Sequence, residues 1–74
     1  MHLDVIVKEI AAIVNHYRIP MTLQDVGDLL IGKFQAQDIS AAAWAGFDEG
    51  DLLLTVDRKI STPQIEKGDT HGSL

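Results

Sequence analysis

The stretch DISAAAWAGFDEGDLLLTVDRKI, Asp38 to Ile60, decides the fold of this chain because it supports two readings. In one, a short alanine-rich helix is followed by a single strand; in the other, two strands fold back on DEG, Asp48 to Gly50. For the helix, alanine is the best helix former, Asp38 or Ser40 offers a capping oxygen, and Gly46 is suited to the left-handed residue that ends a helix. For the hairpin, DEG resembles a three-residue loop with glycine in the left-handed position, but three consecutive alanines are poor strand material. The balance predicts a third short helix over 38–47, with the strand kept as the alternative. Beyond it, Leu52, Leu54, Val56 and Ile60 alternate with Leu53, Thr55, Asp57 and Lys59, the period of a strand with one buried face. A lone strand leaves its own backbone groups unpaired, so this one is expected to pair within the domain or across a dimer interface.

Toward the N-terminus, Leu3, Ile6, Val7, Ile10, Ile13, Val14 and Tyr17 recur at helical spacing, with Asp4 and Lys8 at i,i+4 on the opposite side. Pro20 has no amide proton and restricts Ile19, so this first helix is predicted to stop near Arg18. A second helix announces its start: Thr22 is a capping hydroxyl, Asp25 sits three residues on, and Met21 and Val26 occupy the two positions of a hydrophobic staple. Leu23, Val26, Leu30 and Phe34 then mark one apolar face with Leu29 and Ile31 beside it, and Lys33 falls in the expected last turn, where the helix dipole favours a cation. Gly27 lies on that apolar face, either as a point of close helix approach or as a tolerated glycine costing ~1 kcal/mol against alanine.

Toward the C-terminus, STPQIEKGDTHGSL breaks the period with Pro63, Gly68 and Gly72. The sequence therefore predicts one compact domain over 1–62 and a flexible tail over 63–74 whose loss leaves the fold unchanged. The expected class is α+β: two to three helices plus a short strand or hairpin, in a winged-helix-like order. For 74 residues the core is small, and it is built on aliphatic side chains: 46% of the chain is hydrophobic, with one Trp, one Tyr and two Phe.

Composition and motifs narrow the function by exclusion. There is no cysteine, which fits a reducing cytoplasm, and Asp4, Lys8 and Glu9 interrupt what would be the apolar region of a signal peptide or membrane span. His2, His16 and His71 lack ligand spacing, and Asp48, Glu49 and Asp51 lack the alternating oxygens of a calcium loop, so no metal is expected. Asp25 and Asp28 are explained by the acidic first turn of a helix. No cysteine nucleophile, glycine-rich phosphate loop or Ser-His-acid grouping is present; an enzyme, a cofactor and a small-molecule substrate are not expected.

Binding modules remain. Eleven acidic against six basic residues give a net charge of −5, and the segment DISAAAWAGF has no Arg or Lys to face phosphates. The expectation is a small regulatory or adaptor protein of the inhibitor, antitoxin or accessory-factor kind, cytoplasmic, binding another protein or a second copy of itself. Its candidate contact residues are Trp44, Phe47 and Leu53. The same Trp44 is equally readable as core in a chain short of aromatics. The alternative is a small winged helix-turn-helix DNA-binding regulator using Lys33, Arg58 and Lys59 as phosphate contacts.

Overall fold

The computed structural model of the chain describes residues 3–66. Three helices come first: α1 (Leu3–Tyr17), α2 (Leu23–Leu30) and α3 (Ala36–Glu49). Two short strands follow, β1 (Leu53–Leu54) and β2 (Ile60–Ser61), paired antiparallel with Leu53 opposite Ser61 and Leu54 opposite Ile60. A fourth helical segment occupies 63–66. The molecule is a mostly helical α+β domain.

α1 forms where its apolar period places it. Ile6, Val7, Ile10 and Val14 are buried along one stripe, while Asp4, Val5 and Lys8 face outward. It ends at Arg18, whose backbone is left-handed at φ 60 and whose N–H donates to the Val14 carbonyl at 2.9 Å, just ahead of Pro20. The linker does more than turn. Met21 bridges Ile60, with Met21 N–H donating to the Ile60 carbonyl at 2.9 Å and Ile60 N–H donating back at 2.6 Å, so β2 has a backbone partner on either side.

α2 starts as its sequence predicts: the Asp25 N–H donates to Thr22 Oγ1 at 3.0 Å, satisfying one of the free amides of the first turn. It is shorter than its apolar pattern. The helix stops at Leu30, leaving Lys33 and Phe34 outside it, where their amides donate to the Leu30 carbonyl at 2.8 and 2.9 Å. Val26 and Leu30 are buried and Leu29 and Ile31 are exposed. Gly27 makes no close approach, since nothing lies within 4 Å of where a Cβ would stand.

The first half of the deciding stretch is helical, and the helix is longer than 38–47. α3 begins after Gln35, which makes no side-chain cap, rather than at Asp38 or Ser40, and it runs through DEG to Gly50. Gly50, at φ 85, is the left-handed residue that terminates it, and Gly46 lies inside the helix. Ile39, Ala42, Ala43 and Gly46 form its buried stripe, and α3 packs chiefly against α1. Ala42 and Ala43 are fully buried there, a use for the alanine run that strand propensity does not address. A Cβ on Gly46 would stand 2.5 Å from Leu52 Cδ1 and 2.7 Å from Leu52 Cγ, so glycine here is set by the fully buried Leu52 packed on it.

The long alternating strand expected over Leu52 to Ile60 is instead a hairpin. Thr55 N–H donates to the Lys59 carbonyl at 2.9 Å and Arg58 N–H to the Thr55 carbonyl at 3.0 Å, closing a tight turn between β1 and β2. Alternation fails as a guide because the two arms present different faces: Leu52 and Ile60 are buried, whereas Leu54 is half exposed and Val56 projects from the turn. Arg58 is left-handed at φ 63, in the position a type I turn followed by a bulge usually gives to glycine or asparagine.

Four residues of the expected tail, 63–66, are helical, and Ile65 packs partly buried against the core; the remainder, 67–74, lies outside the described residues. Thr62 caps the segment by accepting from Ile65 N–H at 3.3 Å, Pro63 holds the first helical position where it needs no amide, and Ser61 Oγ donates to Glu66 Oε2 at 2.9 Å. Thr62, itself buried, also donates to Asn15 Oδ1 of α1, tying this segment to the far end of the chain.

Candidate functional site

A cleft of about 440 Å³ opens between α3 and the hairpin, lined by Leu23, Ala43, Trp44, Phe47, Leu54, Arg58 and Ile60. Each element contributes for a local reason. α3 buries Ile39, Ala42, Ala43 and Gly46, and Trp44 and Phe47, three residues apart, stand on the flank of that stripe, where Ala43 joins them in lining the cleft. Their rings meet edge to face with centroids 5.4 Å apart, which holds the indole in place on the outer wall. Trp44 is nevertheless 59% exposed. It is an exposed aromatic on the rim of an apolar cleft and not a member of the core, which settles the open choice made from sequence.

The opposite wall is the hairpin. β1 brings Leu54 and the turn brings Arg58, with Ile60 and Leu23 forming the floor toward the core. Of the three residues predicted for partner contact, Trp44 and Phe47 come together here, whereas Leu53 does not line the cleft; its neighbour Leu54 does. That exchange follows from the register, which pairs Leu54 with Ile60 on the cleft side of the sheet.

The three cations considered for phosphate contact are not gathered. Lys33 Nζ sits 3.3 Å from Glu9 Oε1 and 5.9 Å from the centre of the Phe34 ring, at clefts that Arg58 does not share. Lys59 Nζ pairs with Asp57 Oδ2 at 3.6 Å. Arg58 is the one charged residue lining the Trp44 cleft, and among the described residues it has no carboxylate within salt-bridge distance.

The turn that carries Arg58 is firmly set. Thr55 Oγ1 donates to Asp57 Oδ1 at 2.5 Å and accepts from Lys59 N–H at 2.9 Å. The Thr55 hydroxyl, Asp57's own amide and the nearby Lys59 ammonium together hold the Asp57 carboxyl below its ordinary pKa. Sequence reasoning passed over Thr55 as a polar strand position; the signal available was TVDRK, a threonine two residues before an aspartate, which is turn chemistry.

Among the described residues, no helix is long and apolar enough to cross a membrane, and no three His, Asp or Glu side chains come together in a metal-holding group. Compared with protein-family models, with curated proteins and with solved structures, the chain matches none.

Proposed function

We propose that this chain is a non-enzymatic binding module of a regulatory or adaptor kind, cytoplasmic, that docks another protein through the cleft between α3 and the hairpin. The observation that carries the reading is Trp44, held by Phe47 yet more than half exposed at the mouth of an apolar cleft. Tryptophan on a free surface is costly in water and is the residue type that most often anchors protein contacts. The cleft opens on Leu54 and Arg58, which supplies the mixed apolar and polar rim typical of such surfaces.

A second reading has its own observation. Three helices followed by a hairpin, with the α1–α2 linker bridged to that hairpin through Met21 and Ile60, is an order compatible with a winged helix-turn-helix that binds DNA. Electrostatics favour the first reading. On the second, α3 would enter the major groove, yet Ala36–Glu49 carries three carboxylates and no cation.

Replacement of Trp44 by alanine tests the docking reading. Its exposure predicts a stability change within about 1 kcal/mol, together with a loss of 2 kcal/mol or more in binding to whatever protein co-purifies with the wild type, or in self-association measured by sedimentation. A Trp44→Ala protein that keeps its partner and its oligomeric state removes the cleft from consideration.

A further inference from the structure

The chemistry of the cleft specifies its occupant more closely than apolar docking alone. We propose that the partner segment seated against Trp44 presents an apolar side chain flanked by an Asp or Glu carboxylate, and that Arg58 reads that carboxylate. This rests on the protein-docking reading above.

Charge complementarity points this way. An apolar side chain suits the walls made by Trp44, Phe47 and Leu54, and the single charge at the lining is the guanidinium of Arg58. The nearest carboxylate in sequence, Asp57, is engaged by the Thr55 hydroxyl and by Lys59. Arg58 is thus left with its planar fork of donors available, the geometry that matches a carboxylate in two parallel hydrogen bonds.

The backbone fixes where Arg58 stands. Arg58 stands at φ 63, where folding alone would favour glycine, and the turn is held there by the Arg58 N–H bond to the Thr55 carbonyl and the Lys59 N–H bond to Thr55 Oγ1. The bonded turn thereby holds the Arg58 side chain at the cleft. A phosphate backbone is a poorer match, because it demands several cations along a track and this cleft has one.

The test pans a phage-displayed library of random peptides against the wild type and against Arg58→Gly, with Arg58→Asn as a second variant that also tolerates the left-handed position. Circular dichroism should show both variants folded, since neither strains the turn. Wild-type selections should enrich peptides in which an aromatic or aliphatic residue neighbours Asp or Glu, and that acidic preference should vanish with either variant. A selected peptide, followed through Trp44 emission, should bind either variant about tenfold or more weakly than wild type, whereas its Asp→Asn or Glu→Gln counterpart should bind all three alike. Peptides that require Trp44 but show no acidic preference overturn the role of Arg58 and leave protein docking standing. Recovery of no peptide that depends on Trp44 overturns both.

Discussion

At Gly46 the absence of one methyl group lets α3 and the following loop share a volume. Leu52 N–H donates to the Gly46 carbonyl at 3.0 Å, and the buried Leu52 side chain lies over the glycine. Gly46→Ala gains helix propensity of about 1 kcal/mol but forces Leu52 from a closed site, an overpacking cost of about 1–3 kcal/mol, so a net destabilisation of up to about 2 kcal/mol is expected. Gly27→Ala is the control: nothing lies near its Cβ, and the same propensity gain should raise stability by about 0.5–1 kcal/mol. Urea melts of the two variants should move in opposite directions. At Asp57 the sign runs with acid. Its folded pKa is depressed, chiefly by the Thr55 hydroxyl, so its small contribution is present above the ordinary carboxylate pKa and is lost as pH falls through the depressed value. Carboxyl NMR titration should place Asp57 below its usual range, and Thr55→Ala should return it upward.

Among the elements, the hairpin and the 63–66 segment depend on each other. Ser61 and Thr62 are buried polar residues satisfied by Glu66 and by Asn15, and Ile65 covers apolar core beside them. A chain ending at Thr62 leaves the Ser61 hydroxyl buried without its partner and uncovers that surface, at a cost of about 1–3 kcal/mol. For a domain of this size, thermal melts should place its midpoint lower by roughly 4–8 °C for each kcal/mol lost. An unchanged midpoint would show that 63–66 adds nothing to the fold.

For the molecule as a whole, the charge of −5 and the cation-free α3 weigh against nucleic acid. Titration of duplex DNA at physiological salt should show no submicromolar, salt-sensitive binding, and Arg58→Ala with Lys59→Ala should change nothing in that assay. Tight binding that weakens with added salt and disappears in the double variant would instead establish the winged-helix reading.

What the sequence by itself determined are the features governed by neighbours a few residues apart. The stripe of α1, its stop before Pro20 and the Thr22 cap of α2 are local hydrogen-bonding and periodicity effects, and each stands where its residues place it. Tertiary structure decided the rest. Whether Gly46 or Gly50 ended α3 depended on Leu52 packing into the space a Cβ would fill, and the second backbone partner of Ile60 is Met21, nearly forty residues earlier. Trp44 could not be assigned to core or surface until packing chose which face of α3 is buried. A ring three residues from another takes its exposure from the helix it stands on, and the rotation of that helix is set by the packing of residues far apart in the chain.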